Sequence, residues 1–145
     1  MRLALAEARS AAKADEVPVG AVVVKEGKVI GRGRNRLREL KDPTAHAEML
    51  AIQNAARVLK NERLLGTMLV TTLEPCPMCA GAIVLARVSH VIFAAPDFRA
   101  GAGGSLMNVL NHPGLNHRVL VTGGVLEGTS RQLLQRFFKA KRRSL

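Results

Sequence analysis

Apolar and polar residues alternate along the chain at spacings that predict a succession of helices and strands. The first 14 residues are rich in Ala and Leu and favour a helix, which Pro18 brings to an end. A β-branched run at 20–24 precedes a turn at 25–28 that contains glycine, and apolar residues resume at 29–33. This pattern predicts a β-hairpin.

The rest of the chain is predicted to alternate in the same way. In order, the predicted elements are a helix capped by Thr44 and running to about Leu59, a strand at 67–73, a helix at 77–87 begun by Pro77, a strand at 88–94, a loop at 96–113 with one short helix, a strand at 118–122 and a terminal helix from about Thr129. Such an order predicts an α/β sandwich in one domain, residues 1–145, with helical crossovers between the later strands.

The composition is typical of a soluble globular protein, with 48% hydrophobic and 23% charged residues. No stretch approaches the roughly 18 apolar residues of a membrane span, and no leader segment is apparent. We therefore expect a cytoplasmic protein with no membrane partner. With four Phe, no Tyr and no Trp, the chain lacks the residues for a broad aromatic platform on which bases stack.

Positive charge is concentrated in two segments. The formal net charge is +11, five of the ten residues at 32–41 are Lys or Arg, and the segment 130–145 contains six Lys or Arg and no acid. Such clusters either form a solvated face or bind a polyanion such as RNA.

The chain has two cysteines, Cys76 and Cys79, at the predicted junction between a strand and a helix. Cysteines at i and i+3 of a helix start point the same way, and the helix dipole there favours the thiolate. By itself this spacing fits a redox pair, half of a structural zinc site or part of a catalytic metal site.

A third candidate ligand, His46, stands at the start of the helix predicted before the cysteine pair. With the two cysteines it would leave one zinc position open to water, whose pKa zinc lowers to about 7. Glu48 is the candidate proton carrier, although a glutamate on a helix is ordinarily solvated. A structural site would instead need a fourth protein ligand, for which His112 and His117 are available.

These residues carry a family resemblance. His46-Ala47-Glu48 followed by Pro75-Cys76-Pro77-Met78-Cys79 resembles the H-x-E…P-C-x-x-C signature of the zinc deaminases. The chain is further similar to the bacterial tRNA-specific adenosine deaminases in segments that extend along most of its length: 16–21, 35–36, 42–48, 72–76, 104–107, 112–118 and 137–138.

The resemblance implies a cytidine deaminase-like three-layer sandwich, with a mixed five-stranded sheet flanked by helices, and a homodimer with one Zn²⁺ per subunit. It implies hydrolysis of the wobble adenosine to inosine in the anticodon stem-loop of arginine tRNA, by a zinc-activated hydroxide with Glu48 as proton shuttle. Asn35 would read the flipped base between walls formed by Val17 and Leu73.

The resemblance also places Asp97 near the RNA backbone and Phe138, with its neighbour Phe137, on a C-terminal helix that touches the anticodon loop. Core packing of at least one Phe ring is the simpler alternative. Two other functions stay open: deamination of free guanine or cytosine derivatives, which needs no basic tail, and RNA binding by a module with a structural zinc.

Overall fold

The computed structural model describes residues 1–145 and contains five helices and five strands. The helices are α1 (Arg2–Lys13), α2 (Leu37–Leu40), α3 (Ala47–Leu59), α4 (Pro77–Leu85) and α5 (Glu127–Arg143). The strands are β1 (Gly20–Lys25), β2 (Lys28–Arg34), β3 (Thr67–Leu73), β4 (His90–Ala95) and β5 (Leu120–Thr122).

All five strands belong to one mixed sheet in the order β2-β1-β3-β4-β5. β1 is antiparallel to both β2 and β3, whereas β3, β4 and β5 are parallel. The strands β2, β3 and β4 therefore end at the same edge of the sheet. Helices α1 and α5 pack on one face and α3 and α4 on the other, which confirms the predicted α/β sandwich with a mixed five-stranded sheet.

Helix α3 lies directly on the backbone of β2. A Cβ atom at Gly33 would lie 2.2 Å from the carbonyl oxygen of Ala47, and one at Gly31 would lie 2.4 Å from that of Ala51. The facing side of α3 carries the fully buried Ala47, Ala51 and Ala55. Small residues on both elements thus allow the close approach that holds the start of α3 against the end of β2.

The predicted cap of α3 was wrong. Thr44 does not cap the helix because Asp42 Oδ1 accepts hydrogen bonds from both its backbone N–H (2.8 Å) and its hydroxyl (2.7 Å). The helix begins at Ala47 with His46 as its N-cap residue. A polar side chain close in sequence therefore engages the hydroxyl that the helix start would need.

Three further features differ from the prediction. The basic loop contains the short helix α2, and α5 begins at Glu127, before Thr129. The segment 96–113 forms turns and one isolated bridge between Gly103 and Asn108 in place of a short helix. The other predicted elements agree with the structure to within about three residues. None of the helices combines the length and the apolar character needed to cross a bilayer.

The contact between α3 and β2 makes a prediction about stability. We expect Gly33→Ala to lower the free energy of unfolding by about 1–3 kcal/mol, because the added methyl group overpacks a backbone contact. Gly128→Ala on α5 is the control, since a Cβ there meets no atom within 4 Å. Urea denaturation monitored by circular dichroism measures both variants, and equal stabilities would contradict the packing described here.

Candidate active site

The site lies at the edge of the sheet where the strands β2, β3 and β4 end. Asn35 directly follows β2, Leu73 is the last residue of β3, and Asp97 follows β4. Val17 precedes β1, which runs antiparallel to its neighbours and so begins at this edge. In open α/β sheets the carboxyl ends of strands are the usual place for a binding site.

Two helix starts bring the candidate metal ligands to this edge. His46 is the N-cap of α3, Cys76 is the N-cap of α4, and Pro77 occupies the first turn of α4. His46 Nδ1 lies 3.5 Å from Cys76 Sγ and 3.5 Å from Cys79 Sγ. The three ligand atoms all lie within 4.8 Å of one another.

This cluster fits a zinc ion. In a tetrahedral zinc site, with bonds of about 2.3 Å to sulfur and about 2.0 Å to nitrogen, a sulfur ligand lies about 3.5 Å from a nitrogen ligand. This is the distance observed between His46 Nδ1 and each sulfur atom. His112 and His117 lie outside the cluster: His112 Nδ1 accepts a hydrogen bond from the N–H of Gly114 (2.9 Å), and His117 Nε2 donates one to the carbonyl of Val88 (2.7 Å). Three protein ligands and one open position are the arrangement of catalytic zinc sites.

Contacts within the cluster prepare it for a cation. A hydrogen bond from Cys79, assisted by His46, lowers the pKa of the Cys76 thiol to about 4. The same hydrogen bond, together with burial, raises the pKa of Cys79. The hydrogen bond with Cys76 also raises the pKa of His46, against the effect of burial. Cys76 is therefore a ready thiolate ligand, and a bound metal would displace the proton of Cys79.

Glu48 lies beside the cluster without belonging to it. The carboxyl group is buried, with 4% of the residue exposed, and its Oε1 accepts a hydrogen bond from the Thr71 hydroxyl at 3.0 Å. Burial raises the pKa of Glu48, while contacts with Cys79 and His46 oppose that rise. A buried carboxyl group whose pKa is raised is suited to holding a proton and passing it on.

A cavity of about 520 Å³ opens in front of His46, Cys76 and Glu48. The structure brings every predicted substrate-binding residue to its wall, namely Val17, Asn35, Leu73, Asp97 and Phe138. Their individual roles stay predictions, but their convergence from five separate segments defines one pocket.

Asn35 has a structural contact that the sequence did not predict. Its Oδ1 accepts a hydrogen bond from the N–H of Ala47 at 2.9 Å, although Asn35 lies twelve residues before Ala47 in the chain. The side chain is therefore a cap for α3 supplied by another element, since this is one of the N–H groups that a helix cannot satisfy itself. The Nδ2 group of Asn35 makes no hydrogen bond within the protein and remains available to a ligand in the pocket.

Two buried carboxylates that support the pocket were missed in the sequence. Glu16 is 2% exposed and accepts hydrogen bonds from the N–H groups of Arg38 (3.1 Å) and Glu39 (2.9 Å). It thereby ties the segment after β2 to the segment before β1. The sequence contained one indication of this buried position, because Glu16 directly precedes the apolar residue Val17.

Glu74 does the same for the loop that follows β4. It is 2% exposed and accepts hydrogen bonds from the N–H groups of Asp97 (3.1 Å), Gly103 (3.0 Å) and Ser105 (3.1 Å). The Ser105 hydroxyl donates to the same carboxylate. A charged residue at the end of a buried strand, followed by Pro75, could have indicated this role.

The terminal helix α5 closes the pocket with Phe137, Phe138 and Lys141. The two rings pack edge to face with centroids 5.5 Å apart, and 44% of Phe138 is exposed. Neither ring is part of the main hydrophobic core or packs against it, so the core-packing alternative is wrong. Asp15 pairs with both Lys141 and Arg38 at the pocket rim.

Comparison with known proteins agrees with this site. Residues 1–95 match the family model of the cytidine and deoxycytidylate deaminase zinc-binding region. The chain is 50% identical to a tRNA-specific adenosine deaminase from Aquifex aeolicus (strain VF5), over 100% of this chain and 95% of the relative.

Two solved structures are similar throughout the fold. One comes from a study of A-to-I editing by tRNA:A34 deaminases and has a TM-score of 0.89 at 48% identity, over 92% of this chain and 97% of that chain. The other is a guanine deaminase from Nitrosomonas europaea, with a TM-score of 0.79 at 29% identity, over 92% of this chain and 80% of that chain. The matched region contains all three metal ligands, and the chain belongs to the cytidine and deoxycytidylate deaminase family and, within it, to the tRNA-specific adenosine deaminases.

Proposed function

We propose that this enzyme hydrolyses the wobble adenosine to inosine in the anticodon loop of arginine tRNA. The observation that carries the proposal is the buried Glu48 carboxyl beside a three-ligand zinc site, at the base of a pocket that the basic helix α5 closes. The high identity to tRNA-specific adenosine deaminases supports the substrate.

An anticodon loop suits a pocket of this kind. The wobble base is unpaired, so turning it out of the stack costs less than removing a base from a duplex. The pocket volume of about 520 Å³ admits a nucleoside. Asn35 Nδ2 is placed to donate a hydrogen bond to the base, and Val17 and Leu73 provide apolar walls for its two faces.

His46, Cys76 and Cys79 would hold the zinc. Zinc held by three protein ligands lowers the pKa of a water molecule to about 7 and so supplies a nucleophile at neutral pH. Glu48 takes one proton from the water that attacks C6 of adenine and gives it to N1. It then takes the second proton from the new C6 hydroxyl and gives it to the amino group, which leaves as ammonia. Water and adenosine are thereby converted into inosine and ammonia. The Thr71 hydroxyl orients the Glu48 carboxyl throughout.

Three further properties belong to the same proposal. The chain acts as one domain, it forms a homodimer, and it works in the cytoplasm, where its tRNA substrate is found. The phosphates of the anticodon arm pair with the basic C-terminal helix, in which six Lys or Arg lie between Arg131 and Arg143.

Deamination of free guanine is the second candidate, supported by the similarity to the guanine deaminase structure. A free base needs no contact with the C-terminal helix, whereas an RNA loop does. The two candidates therefore differ in whether turnover requires RNA.

The first prediction from the proposed function tests the reaction and the role of Glu48 as proton carrier. The zinc-loaded protein should convert an anticodon stem-loop with adenosine at the wobble position into the inosine form, as measured by mass spectrometry. Glu48→Gln should lower kcat by about 10³ or more, because acid–base catalysis by a placed carboxyl contributes factors of roughly 10²–10⁴. Its zinc content should stay that of the wild type.

Free guanine and cytidine are the matched substrates for this assay. Ammonia released from guanine with no inosine in the RNA would favour the second candidate. A Glu48→Gln protein that lost its zinc would show that Glu48 is a ligand, contrary to the proposal.

The second prediction concerns the metal. Cys79→Ser should lose most of the bound zinc and most of the activity, since a hydroxyl is a much poorer zinc ligand than a thiolate. Zinc is measured by atomic emission on the purified protein. Ser89→Ala changes an exposed residue that does not line the pocket and is the control. An active Cys79→Ser protein without zinc would rule out the assigned centre.

The third prediction separates the two tasks of Asn35. Asn35→Asp keeps an oxygen that accepts from the N–H of Ala47 but removes the amide donor, so KM should rise about tenfold with little change in stability. Asn35→Ala loses both contacts and should also cost about 1 kcal/mol of unfolding free energy. Steady-state kinetics and urea denaturation measure the two effects, and an unchanged KM in Asn35→Asp would mean that Asn35 does not contact the base.

A further inference from the structure

A second cavity, outside the active site, follows the free edge of β2. It has a volume of about 450 Å³ and extends from Glu7 on α1 to Arg57 on α3. Because β2 is the terminal strand of the sheet, no neighbouring strand covers this edge. We call it the edge cavity, and no step of the proposed deamination uses it.

The edge cavity is lined by four arginines, Arg32, Arg34, Arg36 and Arg57. Arg36 donates two hydrogen bonds to the Glu39 carboxylate (2.8 and 3.0 Å), whereas Arg32 and Arg57 form no ion pair. Even with Glu7 and Glu39 counted, the cavity has two more cations than anions. Such an excess in a concave site attracts an anion.

Arg34 adds an independent observation. Its Nε is buried and has no hydrogen-bond partner in the protein. Its Nη2 lies 4.0 Å from the Glu39 carboxylate, which is already engaged by Arg36. Buried donors are nearly always satisfied in folded proteins, and neither Glu39 nor any other group of the chain satisfies this one.

The edge cavity and the active-site pocket share one short segment of chain. Arg34 and Arg36 line the edge cavity, and Asn35 between them lines the active-site pocket. Arg38 lines the pocket, whereas Leu40 lines the edge cavity. The two cavities therefore adjoin at residues 34–36, and Arg34 and Arg36 are the arginines of the edge cavity nearest in the chain to the active-site pocket.

We propose that the edge cavity binds phosphate groups of the substrate RNA, next to the nucleotide whose base is deaminated. Arginine presents several donors that match phosphate oxygens. The inference rests on the proposed function, since the same RNA molecule fills both sites. A second copy of the chain is a poorer occupant, because with 22 basic and 11 acidic residues it offers little negative charge.

The test compares two double variants of equal charge. Arg32→Gln with Arg57→Gln removes two exposed cations from the edge cavity. Lys25→Gln with Lys28→Gln removes two cations from the β1–β2 turn, where Lys28 lies roughly 13 Å along β2 from Arg32. Fluorescence anisotropy measures the Kd of each for the anticodon stem-loop over a range of KCl concentrations, and steady-state assays give kcat.

The arginine double variant should raise Kd about tenfold, with kcat at saturating RNA unchanged. The slope of log Kd against log salt should fall by about 1 to 2, because each phosphate contact that is lost reduces the number of counterions released on binding. The lysine double variant should change Kd less than twofold. A single Arg34→Gln variant should also weaken binding, and thermal denaturation checks that each variant folds.

Equal Kd values for the two double variants would overturn the inference while leaving the deaminase proposal intact. Calorimetry with inorganic phosphate tests for a site that takes the free anion: phosphate binding lost in the arginine variant, with RNA affinity unchanged, would also overturn it. Absence of inosine with the wild type would count against the proposed function alone, because RNA binding is measured without turnover.

Discussion

The hydrogen bond from the Ala47 N–H to Asn35 Oδ1 sets the position of the whole site. It fixes the first turn of α3 against the end of β2, where glycines in β2 already let the helix backbone approach. His46 and Glu48 flank the residue that donates this bond. The candidate metal ligand His46 and the buried carboxyl of Glu48 are therefore held relative to the strand edge by one buried contact.

Two buried carboxylates extend the same principle to the walls of the pocket. Glu16 holds the segment after β2, and Glu74 holds the loop after β4, each through backbone N–H groups. Loops fixed in this way keep the pocket formed without a ligand, which spares the substrate the entropy of ordering them. The lid on the remaining side is a helix, α5, whose Ser130 hydroxyl donates to the carbonyl of Thr72.

Charge is divided between the pocket and its surroundings. The candidate metal ligands His46, Cys76 and Cys79 and the carboxyl of Glu48 lie at the base of the pocket, whereas arginines and lysines lie at its rim, on α5 and along the edge of β2. A polyanion drawn by the long-range field thus arrives over a pocket whose interior is largely apolar. This division is suited to an enzyme that reads one base of a large RNA.

The sequence alone determined the order of most elements, the α/β class and the three metal ligands. The elements follow from local periodicity. The ligands follow from the match of His46-Ala47-Glu48 and Pro75-Cys76-Pro77-Met78-Cys79 to the zinc deaminase signature, because the C-x-x-C spacing alone fits several kinds of site. Only the tertiary structure decided the cap of α3, the tethers Glu16 and Glu74, and the edge cavity with its unpartnered Arg34 Nε. Each of these features depends on contacts between segments that are distant in the sequence. The local pattern that predicted Thr44 as the cap of α3 contains no information about such contacts.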